Sequence, residues 1–191
     1  MKFVLAIAIG AMVAGPVTAV AQIAGDTFSD REDGAKAHAS GFICPQRIGE
    51  FERDSVGEAD PERLSDFCSY SARDSVYGTI TLTPLSGSYD PTVSLASEFG
   101  EQESTGGKRI SEKAITVQGS PLSIYTRTYR TTRAEALEYR VLFSGAAVKN
   151  WVVEATVEYA DPRDAQLQAD FLRAVYDAAV REVGAAPKSS R

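Results

Sequence analysis

The chain has 191 residues, 43% hydrophobic, 24% charged and 9% aromatic, with a formal net charge of −6. That length suits one domain with tails, and the composition excludes wholesale disorder, a collagen-like repeat and a disulfide-dense miniprotein. The acidic balance repels phosphate backbones, so no nucleic-acid partner is expected.

The first residues, MKFVLAIAIGAMVAGPVTAVAQ, read as an export signal. Lys2 supplies a basic start, Phe3 to Val13 are apolar or small, and Pro16 breaks the run before the small-x-small site Ala19-Val20-Ala21. The apolar stretch falls short of the about 20 residues needed to cross a bilayer, and no cysteine sits at the cut to take a lipid anchor. Residues 1–21 are therefore expected to be a signal peptide cleaved after Ala21, leaving a periplasmic chain without a membrane span.

Residues 22–41 (QIAGDTFSDREDGAKAHASG) carry hardly any large apolar groups and read as a flexible polar leader. The C-terminal residues 184–191 (GAAPKSSR) read as a disordered tail, and 42–183 as a single α+β domain. In an oxidising compartment Cys44 and Cys68 suit a disulfide, which would close a loop of about 25 residues and contribute about 3–4 kcal/mol. Two separate buried thiols, or half of a metal site, are the alternatives. The metal reading needs two more soft ligands, and the one histidine, His38, falls in the polar leader.

Within the domain, period-2 alternation predicts strands over 48–53, 65–71 and 76–83, with a turn-rich stretch at Gly57 and Pro61 after the first. In VYGTITLT, Val76, Ile80 and Leu82 share one face while Tyr77, Thr79, Thr81 and Thr83 share the other. Asp90-Pro91 is a helix start, and Val93, Leu95, Ala96 and Phe99 give that short helix an apolar side. Strands over 110–117, 122–129, 136–144 and 150–159 follow. Pairing Val117 with Leu122, and Leu122 with Phe143, sets Ile115 against Ile124, Ile124 against Val141 and Thr126 against Tyr139. The last hairpin then pairs Phe143 with Trp151 and Val141 with Val153, placing Trp151 in the core.

Asp161 and Pro162 open the final helix and Gly184 ends it, with Leu167, Phe171, Ala174, Val175 and Ala178 on one side. About 22 residues give roughly 33 Å, enough to lie along a sheet. The expected architecture is an antiparallel sheet of six or seven strands, with a short inserted helix and a long C-terminal helix packed on one face. The meander 110–159 running into DPRDAQLQADFLRAVYDAAVREV, preceded by the DPTVSLASEF helix, is similar to the PsbP-like superfamily of α/β sandwiches, which includes DcrB-type periplasmic proteins. The resemblance implies an accessory or interaction protein without a shared active site. The cysteine pair lies outside the pattern.

Catalytic chemistry finds little footing. The only histidine lies in the leader, which leaves a serine or cysteine nucleophile without a base. Asp30, Glu32 and Asp33, or Asp161 with Asp164, lack calcium-loop spacing, and STGGKRIS lacks that of a phosphate loop. Glu154 and Glu158 would stand about 13 Å apart, beyond the separations of glycosidase carboxylates. No metal or cofactor is expected.

On the register above, the face away from the long helix sets Arg127 opposite Glu112 and Glu138, Tyr125 opposite Arg140, and Arg140 opposite Glu154. Tyr125, Arg127, Tyr129, Arg140 and Glu154 form either a recognition face for an anionic ligand or partner, or a set of mutually neutralising cross-strand pairs. The leading expectation is a non-enzymatic, exported accessory protein binding another envelope protein or a small ligand. The alternatives are a carboxylate-dependent envelope hydrolase and an immunity-type inhibitor of a basic protein.

Overall fold

The computed structural model describes residues 27–73, 75–116, 120–132 and 138–184. The signal peptide 1–21 with its cleavage after Ala21, residues 22–26, Val117 and its pairing with Leu122, and tail residues 185–191 lie outside the described residues.

The first elements are β1 (Phe28–Asp30), β2 (Lys36–His38) and β3 (Ile43–Cys44), and among the described residues they form a small sheet in that order. A second sheet has, among the described residues, eight strands: β4 (Arg47–Ile48), β5 (Phe51–Asp60), β6 (Ser65–Ala72), β7 (Val76–Pro84), β8 (Lys108–Thr116), β9 (Ser123–Thr132), β10 (Glu138–Val148) and β11 (Trp151–Ala160). Helices α1 (Pro91–Ser94) and α2 (Ala96–Ser104) join β7 to β8, and α3 (Ala165–Glu182) closes the fold. The strand order is β4-β5-β6-β7-β11-β10-β9-β8, and every pairing is antiparallel. This is the expected α+β architecture with a wider sheet. The added width comes from residues 47–60, which form a hairpin instead of one strand and a turn. Strand β5 continues through Gly57 to Asp60 because it pairs along its length with β6, absorbing two register shifts.

Helix α3 lies on one face of the large sheet. Phe171 packs against Phe51 and Tyr70, with ring centroids 4.5 and 5.7 Å away, and presses onto Gly78 of β7. A Cβ at Gly78 would stand 2.6 Å from the Phe171 ring, so this close approach requires glycine. Leu172, Val175, Tyr176 and Ala179 are buried behind it, against Ile80, Val153, Ala155 and Val157. Trp151 joins this core at its rim and is half-buried.

The helix begins three residues later than the sequence suggests, with Asp164 at its N-cap position. Asp161 instead serves the end of β11: its N–H donates to the Glu138 carbonyl and its carboxylate pairs with Arg140 at 2.6 Å. Past the helix, Gly184 adopts φ +70 and donates its N–H to the Ser40 carbonyl at 2.7 Å.

Strand β10 is turned over relative to expectation. Phe143 pairs with Arg127 and Thr156, and Val141 with Tyr129 and Glu158, where Leu122 or Ile124 and Trp151 or Val153 were expected. The β10–β11 turn is only Lys149-Asn150, with Lys149 at φ +54 and Val148 opposite Trp151. Residues 145–148 (GAAV), which fall beyond the expected strand, continue it. The register moves by an odd number of residues, which sends Val141 and Phe143 to the face away from α3 and Arg140 to the face beneath it. The β8–β9 pairing, with Ile115 opposite Ile124 and Glu112 opposite Arg127, is as expected.

From Thr27 onward the stretch read as a flexible leader is built into the fold. His38 is only 4% exposed, flanked by the rings of Phe28 and Trp151 at 5.0 and 5.1 Å. The Ser40 N–H donates to its Nδ1 at 3.0 Å, so the proton sits on Nε2, which faces Asp66 Oδ2 at 3.1 Å. Thr27 Oγ1 donates to the other Asp66 oxygen. A polar latch thus holds a segment too poor in apolar area to dock by burial alone. The Cys44–Cys68 disulfide adds a covalent tie from β3 to β6.

Burial holds the His38 imidazole below its usual 6.5, outweighing the favourable effect of Asp66. The unfolded chain takes up a proton near pH 6.5 that the fold resists, so stability is full above that pH and declines below it. Urea unfolding at about pH 7.5 and about pH 5.5 should show the wild type losing more stability than His38→Gln, with a slope difference of up to about 1.4 kcal/mol per pH unit.

Candidate functional site

The sheet presents two different surfaces. On the face away from α3, Tyr125, Arg127 and Tyr129 of β9 stand beside Val141 and Phe143 of β10, and α2 covers them. Asp90 caps α1 by accepting from the Thr92 N–H at 2.8 Å, which starts the short helical segment as its sequence suggests. Leu95 and Phe99 then point into the sheet, while Val93 remains exposed. The Phe99 ring lies 3.8 Å beneath the Arg127 guanidinium and meets Phe143 edge-on at 5.6 Å.

The polar groups of this face are engaged with one another. Glu112 accepts from Arg127 at 3.0 Å and from the Tyr125 hydroxyl at 2.9 Å, which holds its carboxyl below the usual range. Burial and the bond to Glu112 push the Tyr125 phenol up to about 12. Tyr129 donates to Glu103 of α2 at 2.9 Å. Farther along, Glu154 is 7% exposed and accepts from Tyr89 at 3.0 Å; burial holds its carboxyl above the ordinary value. The Tyr89 hydroxyl rests on Gly145, where a side chain would collide with it.

Four of the five expected recognition residues therefore share this face, and Arg140 lies on the other. The expected pairs of Arg140 with Tyr125 and Glu154, and of Arg127 with Glu138, are not formed: Tyr125 and Glu154 both flank Gly145, and Arg140 stands between Arg130 and Tyr159. Glu103 and Tyr89, which complete the network, carry no local sequence signal, since their partners are distant in the chain.

The surface beneath α3 is open on one side. Because Phe171 anchors the helix toward β5, β6 and β7, the wing formed by β8, β9 and β10 extends past its cover. A cleft of about 720 Å³ lies there. Ile124 and Leu142 form its buried floor, Ile115 and Ile110 the edge-strand side, and Leu172 and Tyr176 the helix wall. Thr126 and Thr128 add hydroxyls to the floor. The Tyr176 hydroxyl is turned away toward Ser144 Oγ at 3.0 Å. Lys113, Arg140 and Arg173 bring cations to the walls, against the single carboxylate of Asp177. Arg140 is held by Asp161 and Arg173 by Asp170 at 2.7 Å.

This geometry suits holding a molecule. The Ser40–His38–Asp66 array repeats the connectivity of a hydrolase triad, but all three residues are at most 4% exposed and the His38 acceptor is taken by a backbone N–H. It acts as a latch, and none of the three residues lines the cleft. Among the described residues no group of three or more His, Cys, Asp or Glu side chains is placed to hold a metal ion.

The buried Glu154 carboxyl makes a signed prediction. Its folded value lies above the ordinary 4.5, so ionisation at neutral pH costs stability that returns as pH falls toward 4.5. Glu154→Gln keeps an acceptor for Tyr89 and removes the charge. Chemical denaturation should find the variant more stable by about 1 kcal/mol at about pH 8, with the advantage shrinking as the wild type protonates.

No protein-family model matches the chain, and no curated protein matches it. Among solved structures it is similar to the solution structure of cyanobacterial PsbP (CyanoP) from Synechocystis sp. PCC 6803, at 16% identity and a TM-score of 0.48, covering 86% of this chain and 98% of that one. It is also similar to the crystal structure of LpqN, involved in cell envelope biogenesis of Mycobacterium tuberculosis, at 14% identity and a TM-score of 0.38, covering 68% of this chain and 76% of that one.

Proposed function

We propose that the chain is an exported, non-enzymatic accessory protein of the periplasm that holds a small ligand in the cleft between α3 and the β8–β10 wing. The observation that carries this reading is the cleft itself, an aliphatic floor under a rim of cations, within the size range of small-molecule sites. The leader sequence supports export, and the disulfide suits an oxidising compartment. Among the described residues no helix is long and apolar enough to cross a membrane.

Two measurements test the reading. Expression of the whole chain in a bacterial host should yield a periplasmic product whose mass begins at Gln22; a product retaining Met1 overturns the export claim. For the cleft, the uncharged fluorescent probe Nile red should bind the wild type with enhanced emission. Ile115→Trp, which fills the cleft from its half-buried edge, should abolish most of that signal without shifting the unfolding midpoint. Equal emission from both proteins, or none from the wild type, overturns the cleft as the ligand site.

A further inference from the structure

The chemistry of the cleft walls narrows what it would hold, and this step rests on the cleft reading above. We propose that the ligand is an anionic amphiphile: an alkyl tail lying on the aliphatic floor, with a carboxylate or phosphate head at the cations of the rim.

The tail follows from the floor. Ile115, Ile124, Leu142 and Leu172 are all aliphatic, and the two tyrosines of the lining present little ring surface: Tyr176 is fully buried with its hydroxyl on Ser144, and Tyr159 is 4% exposed. A surface of branched aliphatic side chains offers contact area to a flexible chain without the flat ring partners that would select an aromatic ligand.

The head follows from the cations. The chain as a whole carries a net charge of −6, yet this cleft gathers Lys113, Arg140 and Arg173 against one carboxylate, Asp177. Two of the three cations are already positioned by acids outside the cleft, Arg140 by Asp161 and Arg173 by Asp170. Among the described residues Lys113 makes no ion pair, and it lies exposed at the cleft's edge strand. Arg140 adds a second observation: its Nε–H is buried and has no acceptor among the described residues, although the same guanidinium is fixed through Nη2. A buried donor without a partner is unfavourable until an acceptor arrives, and an anionic oxygen is the strongest acceptor available. The cations come from three elements, β8, β10 and α3, and converge on the walls of a single aliphatic trough.

The test uses the whole exported chain and four twelve-carbon probes below their micelle-forming concentrations: dodecanoate, dodecyl phosphate, neutral dodecyl maltoside and dodecyltrimethylammonium. Titration calorimetry should show at least one of the two anions binding about 10-fold or more tightly than the neutral and cationic probes. Whichever anion leads identifies the head as carboxylate or phosphate, and equal binding of both assigns the shared anionic charge. The double variant Lys113→Glu, Arg173→Glu should cost the anions about 10-fold and leave the neutral probe unchanged. Lys113→Gln, a milder change at an exposed site, gives a smaller loss in the same direction if the charged variant folds poorly. Equal affinity for all four heads, each sensitive to Ile115→Trp, overturns the anionic assignment and leaves the cleft reading standing. Binding that Ile115→Trp does not alter, or no binding of any probe, overturns both.

Discussion

The contact between Phe171 and Gly78 decides the layout of the molecule. A long helix can lie on a wide sheet in several places, and the missing side chain in β7 creates a socket into which one aromatic ring sinks. With Phe51 and Tyr70 closing around it, α3 is drawn toward the β5–β7 side of the sheet. Strands β8 and β9 then project beyond the helix, and their aliphatic residues meet a cavity where a centred helix would have met them with side chains. The cleft is the remainder left by a packing choice made on the opposite flank.

The other face of the same wing is finished differently. There α2 brings Phe99 beneath Arg127, Glu103 accepts from Tyr129, and Glu112 accepts from Tyr125 and from Nη2 of Arg127. One surface is sealed by reciprocal polar bonds over an aromatic cluster, and the reverse surface of the same strands remains recessed. Strands β9 and β10 consequently bury both their odd and even residues to different ends, and each face has its own requirement for small side chains: Gly145 under Tyr89 on one side, Ser144 under Tyr176 on the other.

Much of this was readable from the chain, and the failures share a cause. Strand β7 announces itself because Val76, Ile80 and Leu82 alternate with hydroxyls, and Ile115 opposite Ile124 follows from two alternating runs joined by a short turn. Residues 145–148 give no such sign. Gly145 is small because the distant Tyr89 occupies the space above it, so local apolar content understates the burial of the segment. His38 hides its burial for the same reason: its surroundings in sequence are polar, but Asp66, Trp151 and Phe28 reach it through the fold. Asp161-Pro162 carried a helix-start signal that the structure spends on ending β11. The members of the expected recognition face could be named, but which side each would take depended on an odd or even shift in β10 that no local pattern encodes. The cleft was out of reach altogether, because it exists only where elements fail to meet.

The position of β11 between β7 and β10 has a kinetic side. The early strands form one meander and the later strands another, and the central rung joining them is the last strand made. Until it inserts, each meander has an open edge and neither has its helical roof. Assembly therefore waits on contacts between segments far apart along the polypeptide, a topology that folds slowly. A chain threaded through a membrane from its amino end would reach the far side with its keystone still to come, and so in a form suited to remaining unfolded during passage.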